Sequence, residues 1–243
     1  MIRVTIWNEF YHEKTEENVK ALYPNGLHAT IKEQLEKIAA DEYEIRLADI
    51  DMPEHGLTDD VLNNTDVLIW WGHCRHGLVD DAIAAKVVDH VHRGMGFIAL
   101  HSSHLSKPFV KLMGTPCTLR WRCIDEHARM WKVDRTHPIT RGLPDSFELE
   151  AEEMYGEPFL IPKPDDLLWV TWYAGGEICR SACTYERGFG KVFYFQPGHE
   201  TCPSYYNPYV IQIIKNAIDW ANPDQDRIPL CCDSQPPFEK IEK

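Results

Sequence analysis

The chain lacks several features that would assign it to particular protein classes. It has no C-x2-C pair among its eight cysteines and no H-E-x-x-H pattern, so no local motif fixes a metal site. It has no apolar run near the roughly 20 residues of a membrane helix, no basic stretch and no signal-peptide-like start. Its formal net charge is −13, which makes nucleic acid and anionic membranes poor partners. We therefore expect a cytoplasmic protein with free thiols and neither of these partners.

The composition is that of an ordinary folded protein, apart from its histidine content. Hydrophobic residues make up 44% and charged residues 26% of the 243 residues, as in typical globular domains. No internal repeat or low-complexity stretch divides the chain. We predict one domain over residues 1–222 and an extended polar C-terminal arm over residues 223–243. Twelve histidines are present, and many of them follow apolar strands.

The first half of the chain alternates between strand and helix patterns. Apolar or alternating runs predict strands at 4–7, 43–47, 67–71 and 97–100. Helical spacing predicts helices at 27–38, 80–93 and 105–113, with Ser102 and Ser103 as N-caps of the last one. This order indicates an α/β fold with a mostly parallel, doubly wound sheet.

The second half has a different pattern. Strand-like runs at 128–134, 147–150, 167–172, 178–185 and 191–195 are joined by short segments that contain Gly or Pro. They predict an antiparallel extension of the same sheet. A last helix is predicted at 209–220, and Pro223 prevents its continuation.

Histidines and glutamates follow the predicted strands. The segments 8–9, 72–76, 101–104 and 198–200 each come directly after an apolar strand, and Glu152, Glu153 and Tyr155 come after another. Because the carboxyl ends of parallel strands meet at one edge of a sheet, we expect a shared cleft there. Imidazoles with carboxylates suit general acid–base chemistry. The same side chains suit a divalent metal, zinc above all, and nothing indicates a nucleotide cofactor.

Seven motifs along the chain resemble one protein family. They are LYPNGLH (22–28), EHGL (54–57), WWGH (70–73), ALHSSH (99–104), THPI (136–139), EEMYG (152–156) and PGHE (197–200). Together they resemble the ThuA family of trehalose-utilisation proteins over roughly residues 1–222. The resemblance implies a flavodoxin-like, class I glutamine amidotransferase-like fold. It also implies a role in the breakdown of trehalose and related disaccharides.

One position departs from the amidotransferases of this superfamily. Their nucleophile turn reads Gly-Ile-Cys-x-Gly-His, and the matching residues 99–104 place His101 where the cysteine stands. His199 matches the histidine that activates that cysteine. Glutamine hydrolysis through a thioester is therefore not expected, because it needs a thiolate. A divergent amidotransferase that uses Cys74 is a weaker reading, because Cys74 follows the third strand and not the turn.

We predict an enzyme of disaccharide catabolism that acts on a sugar or keto-sugar by acid–base or metal-assisted chemistry. Hydrolase, lyase and isomerase activities stay open, as does homo-oligomerisation. The alternative is a non-catalytic sugar-binding or partner protein that has kept the cleft. The assigned residues are His101, His199, Glu153 and Glu200 for catalysis, His73, His76 and His104 for the metal, and His28, Trp71, Trp172, Tyr155 and Arg120 for the carbohydrate. A hydrogen-bonded structural role is the alternative for His101, His73 and His76.

Overall fold

Nine strands form one mixed sheet within residues 1–224 and 234–242, which are the residues that the computed structural model describes. The strands are β1 (Ile2–Asn8), β2 (Tyr43–Asp49), β3 (Val67–Trp71), β4 (Gly96–Leu100), β5 (Arg120–Lys132), β6 (Ser146–Gly156), β7 (Asp166–Tyr173), β8 (Ile178–Arg187) and β9 (Gly190–Phe195). Their order is β2-β1-β3-β4-β9-β8-β7-β5-β6. The pairs from β2 to β9 are parallel, and those from β9 to β6 are antiparallel.

Helices connect the parallel strands and cover the sheet. They are α1 (His12–Thr15), α2 (Glu17–Leu22), α3 (Leu27–Ala39), α4 (Asp59–Asn63), α5 (Asp81–His92), α6 (Lys107–Met113) and α7 (Pro208–Ala221). Strands β3 and β4 are buried along their whole length, as expected where helices cover both faces of a parallel sheet. The predicted doubly wound sheet with an antiparallel extension is confirmed.

The start of α6 differs from the prediction. A short 3₁₀ helix over His101–Leu105 follows β4, and α6 begins at Lys107. Its N-cap is Ser106, whose side chain accepts a hydrogen bond from the backbone N–H of Phe109. Ser102 and Ser103 are therefore not caps, because they lie in the tight turn at the end of β4 and α6 begins two residues later than predicted.

The strands β5 and β6 are longer than predicted. β5 begins at Arg120 and not at residue 128, and β6 continues to Gly156 and not to residue 150. Their pairing is interrupted by bulges near Glu126, which bend a strand and disturb its alternation. The extra length places Glu152, Glu153 and Tyr155 on a strand, not in a loop after it.

Part of the predicted C-terminal arm can be compared with the structure. Residues 234–242 form neither helix nor strand and are exposed. Residues 225–233 and 243, which the arm prediction also covers, lie outside the described residues. No helix within the described residues is long and apolar enough to cross a membrane.

The contact between β4 and α7 gives a test of the packing. A Cβ added at Gly96 would overlap the backbone and side chain of Ala221 at the end of α7, whereas one at Gly77 would meet nothing within 4 Å. Gly96→Ala should lower the free energy of unfolding by about 1–3 kcal/mol, as for an overpacked core. Gly77→Ala, the matched control, should not lower it. Urea unfolding of both variants checks this, and equal stabilities would contradict the close packing.

Candidate active site

Loops at the carboxyl edge of the parallel strands converge on one strand of the extension. His73 follows β3, His101 follows β4, and His199 and Glu200 follow β9, while Glu153 lies on β6. The ring centroids of the three histidines are 5.3–5.9 Å apart. We call these five residues the His–Glu cluster. The structure thus brings together all four predicted catalytic residues and one predicted metal ligand.

His101 is held in a strained turn at the centre of the His–Glu cluster. Its φ of +52° is unusual for a residue with a side chain, and its side chain is fully buried. Nδ1 donates a hydrogen bond to the carbonyl oxygen of Gln196 at 2.9 Å. Nε2 therefore faces Oε2 of Glu153, at 3.0 Å. The turn thus presents the imidazole of His101 to Glu153.

His101 and Glu153 form a buried ion pair. Burial disfavours the charged imidazolium, but the hydrogen bond and the negative charge of Glu153 outweigh burial and raise the pKa of His101. Burial likewise opposes ionisation of Glu153, yet His101 lowers the pKa of that carboxyl. Both shifts favour a proton on His101 and a charge on each partner near neutral pH.

His199 is neutral, and its Nε2 faces the cluster. Nδ1 lies 2.8 Å from Oγ1 of Thr201, to which it can donate, and 3.3 Å from the backbone nitrogen of that residue. Nε2 lies 3.6 Å from Oε1 of Glu200 and 3.9 Å from Oε2 of Glu153. Burial, followed by the positive charge of His101, lowers the pKa of His199 to about 4. One ring nitrogen of His199 is therefore unprotonated at neutral pH and can accept a proton.

Glu200 is the second carboxylate of the cluster. Nδ1 of His73 lies 3.0 Å from its Oε1. Burial opposes ionisation, but His73 and then the other nearby histidines lower the pKa of Glu200 to about 2. The carboxylate orients the ring of His73, whose side chain stays 26% exposed towards the pocket.

Glu9 holds the loop that carries His73. Its carboxylate accepts hydrogen bonds from the backbone N–H groups of His73 at 2.7 Å, Cys74 at 3.0 Å and Arg75 at 3.0 Å. Burial opposes its ionisation, but these three donors lower the pKa of Glu9. Glu9 therefore fixes the position of the loop.

Glu152 plays the same part for the loop that carries His199. It accepts hydrogen bonds from the backbone N–H groups of Gly198 at 2.9 Å and His199 at 3.1 Å, and from Oγ of Ser204 at 2.6 Å. It is fully buried, and burial raises its pKa. Its oxygens are occupied by the loop, whereas Glu153 next to it faces His101.

A pocket of about 250 Å³ opens over the cluster. Its lining residues are His73, Ser102, His104, Leu105, Thr118, Leu119, Trp121, Glu153 and Tyr155. The ring of Tyr155 stacks on that of His101 at 4.9 Å, and its hydroxyl lies 2.5 Å from Oγ of Ser102. Trp121 is 67% exposed at the mouth. The pocket thus combines aromatic walls with hydroxyls and the carboxylate of Glu153.

Two predicted metal ligands, His104 and His76, do not belong to the His–Glu cluster. Nδ1 of His104 donates to the carbonyl oxygen of Cys117, and burial lowers the pKa of His104 to about 3. Burial also lowers the pKa of His76 to about 4. Both histidines stay neutral, and neither belongs to the groups of metal-binding atoms that lie within 4.8 Å of one another in the described chain.

Four predicted carbohydrate contacts do not line the pocket. His28 is buried beside Asn8, 3.1 Å from its amide nitrogen. Trp71 is buried and donates to the carbonyl oxygen of Gly198. Trp172 lies on β7, where the guanidinium of Arg129 sits over its ring. Arg120 begins β5. Of the predicted contacts, Tyr155 alone lines the pocket.

Sequence reasoning missed two residues near the site. Trp121 supplies the exposed aromatic face at the pocket mouth, and no pattern in the sequence marks it. His12 lies on α1, with Nε2 3.6 Å from Oε1 of Glu200. It follows β1 by four residues, so the rule that strand ends carry the site could have found it.

Some of the clustered atoms have the composition of a metal site. Ligand atoms of His73, Glu153 and His199 lie within 4.8 Å of one another, as do those of His101, His199 and Glu200. Two imidazoles and a carboxylate are donors that zinc accepts. The arrangement can serve proton transfer alone or together with such an ion.

The cysteines of the described chain are free. Burial, with the nearby charge of Glu9, raises the pKa of Cys74 to about 12. At neutral pH this thiol is protonated, and it lies after β3, away from the turn at His101. Cys231 and Cys232 lie outside the described residues.

Comparison with known proteins agrees with this architecture. Superposition on a putative ThuA-like protein from Bacteroides uniformis covers 90% of this chain and 91% of that protein, with 14% identity and a TM-score of 0.64. Superposition on a cytoplasmic protein from Salmonella typhimurium covers 92% of this chain and 100% of that protein, with 13% identity and a TM-score of 0.63. Superposition on a chain of PurLQS from Thermotoga maritima covers 90% of this chain and 98% of that chain, with 11% identity and a TM-score of 0.55. Identities this low show a shared fold, here the class I glutamine amidotransferase-like one.

The sequence comparisons differ in their outcome. No significant match is found among curated proteins. The sequence model of the ThuA family, described as trehalose utilisation, matches residues 3–221. The match spans nearly all of the nine-stranded sheet and every residue of the His–Glu cluster, so the chain belongs to the ThuA family.

Proposed function

We propose that this protein is an enzyme that acts on a sugar or keto-sugar by proton transfer in the pocket over the His–Glu cluster. The observation that carries the proposal is the convergence of two imidazoles on one carboxylate: Nε2 of His101 lies 3.0 Å and Nε2 of His199 lies 3.9 Å from Oε2 of Glu153. Titratable groups whose environments push their pKa values apart are typical of acid–base sites.

The two histidines suit different parts of such a reaction. His199 can take a proton from the substrate, because it is neutral near pH 7, and the imidazolium formed in this way can return that proton to a substrate oxygen. The positive charge of His101 can stabilise negative charge that develops on a substrate oxygen in a water-poor site. A carbonyl or a departing hydroxyl of a sugar is such an oxygen, so hydrolase, lyase and isomerase chemistries all fit.

The walls of the pocket suit a sugar ring. The pocket volume of about 250 Å³ lies just below the roughly 300–1,000 Å³ of small-molecule pockets, which suits one ring better than two. A second ring would lie outside against the exposed face of Trp121. Aromatic faces with adjacent hydroxyls, here Tyr155 and Ser102, match the apolar faces and hydroxyls of a sugar. The trehalose-utilisation description of the family supports the same substrate class.

A divalent ion of the zinc class is a proposed cofactor of this site. His73, Glu153 and His199 are the side chains that would hold it. Such an ion would polarise a carbonyl or hydroxyl oxygen of the substrate. We also propose a cytoplasmic location, which is supported by the name of the similar Salmonella protein.

The first test replaces the proton-transfer group. His199→Gln should lower turnover of the active sugar by about 10²–10⁴-fold and change its binding little, because general acid–base help has that magnitude. Trehalose, maltose, sucrose and their 3-keto forms are screened by calorimetry for binding and by mass spectrometry for products. His127→Gln is the control, because His127 pairs with Glu148 on the extension, and it should leave both unchanged.

The screen also separates the alternatives. If a sugar binds but no product forms, the protein is a sugar-binding protein and not an enzyme. If no sugar binds and His199→Gln leaves growth on these sugars normal, the carbohydrate proposal is wrong.

The second test concerns glutamine. With His101 at the nucleophile turn and Cys74 protonated, incubation with glutamine should release no ammonia above background. The glutamine analogue diazo-oxonorleucine should label none of the cysteines, as measured by mass spectrometry of the intact protein. Stoichiometric labelling of Cys74 would show that the protein has kept an amidotransferase nucleophile.

The third test follows the ion pair with pH. The pKa of His101 is raised in the folded state, so the pair's contribution to stability is complete below the ordinary imidazole value of about 6.5. It is lost as pH rises through the raised pKa. Glu153→Gln removes the strongest partner, so NMR titration of the His101 ring should show a lower pKa in this variant. An unchanged pKa would disprove the pairing.

A further inference from the structure

His12 is a buried histidine with one nitrogen left without a partner. Its side chain is 9% exposed, and Nδ1 lies 2.8 Å from Oε1 of Glu16. A carboxylate accepts, so Nδ1 donates and Nε2 is left with a lone pair. Nε2 is buried and has no hydrogen-bond partner.

The space in front of this nitrogen is lined by anionic atoms. Oε1 of Glu200 lies 3.6 Å away and Oε1 of Glu9 3.9 Å away. Oε2 of Glu200 is also buried without a partner. A lone pair and two carboxylates that face one another repel unless a positive charge lies between them, and buried charges are normally paired or bound to metal.

We propose that a divalent metal ion binds here, held by His12, Glu9 and Cys74. We call this position the outer metal site. It uses Nε2 of His12 as its central ligand and shares no ligand with the His73, Glu153 and His199 set. It stands whether or not the protein acts on sugars.

The distances fit three protein ligands of a four-coordinate ion. Bonds of about 2.0–2.3 Å to nitrogen, oxygen and sulfur place the ligands of a tetrahedral zinc ion about 3.3–3.7 Å from one another. Sγ of Cys74 lies 3.3 Å from Oε1 of Glu9, and Nε2 of His12 lies 3.9 Å from the same oxygen. Ligand atoms of Glu9, His12 and Cys74 all lie within 4.8 Å of one another.

The groups behind the ligands are those expected around a metal. A metal-bound histidine usually donates its other ring N–H to a carboxylate or carbonyl, and Glu16 accepts from His12 in this way. Three backbone amides orient Glu9. Cys74 is exposed, which provides an entry path from solvent.

The donor set selects the class of ion. Nitrogen and sulfur donors beside carboxylates suit zinc and the neighbouring transition metals, whereas magnesium and calcium prefer sites made of oxygen alone. A second proton on His12 is the competing way to supply positive charge, and the experiment must separate the two.

The test uses cobalt(II) as a coloured substitute for zinc on the full-length protein after treatment with a chelator. Cobalt binding should produce a thiolate-to-cobalt charge-transfer band. Cys74→Ser should abolish the band, and Cys123→Ser should keep it. Cys123 is the matched control because its Sγ lies 3.7 Å from Nε2 of His199, beside the other set.

Two further variants measure the affinity. His12→Gln should remove one equivalent of bound cobalt. Glu16→Gln should weaken that equivalent by about 10–100-fold, the usual effect of losing such a partner. The side chain of Glu16 is 43% exposed, so Glu16→Gln should fold. Its cobalt affinity can therefore be measured even if His12→Gln does not fold.

The outcomes also keep this site apart from the proposed function. Loss of the thiolate-to-cobalt band in His12→Gln but not in His199→Gln supports the outer metal site, even if no sugar is turned over. The proposal is overturned if the protein binds no cobalt, if Cys74→Ser keeps the band, or if Glu16→Gln binds cobalt as tightly as the unaltered protein.

Discussion

The ion pair between His101 and Glu153 joins two parts of the sheet that its strand order keeps apart. β4, which ends at His101, and β6, which carries Glu153, are five positions apart in the sheet. In a flat sheet, spacings of about 4.8 Å would separate these strands by roughly 24 Å, yet the two charged atoms are 3.0 Å apart. The antiparallel extension must therefore curl over the carboxyl edge of the parallel strands. The bulges in β5 are the kind of irregularity that allows such bending. The pocket exists because of this curl.

A buried ion pair is a poor source of stability, since desolvation of two charges offsets much of their attraction. Its presence is better explained by chemistry. Nδ1 of the His101 ring donates to the carbonyl oxygen of Gln196, and the hydroxyl of Tyr155 lies 3.3 Å from Nε2, the nitrogen that faces Glu153, so the imidazole is held at a defined position. An imidazole at this turn cannot act as the thiolate of a thioester mechanism.

The buried carboxylates near the site are of two kinds. Glu9 and Glu152 receive backbone N–H groups and hold the loops that carry His73 and His199. Glu153 and Glu200 instead face imidazoles. A carboxylate that receives amides cannot exchange a proton with them, because an amide stays protonated, whereas one that faces an imidazole can. This difference separates the carboxylates that position the His–Glu cluster from those that belong to it.

The sequence predicted those elements that have a local pattern of apolar residues, and it missed those that have none. β3 was predicted at its observed bounds, because five consecutive apolar residues are typical of a strand that is covered on both faces. Residues 120–127 of β5 are mostly exposed and have no apolar alternation, so their strand character was not visible. The sequence by itself determined the parallel half of the sheet, the histidine at the strand-to-helix turn and the edge where the chemistry lies. Only the tertiary structure decided that Glu153, and not Glu152, faces His101, and that Trp121 and His12 lie beside the pocket and the cluster. These side chains come from distant parts of the chain, and their positions follow from the curl of the sheet, which no local pattern encodes.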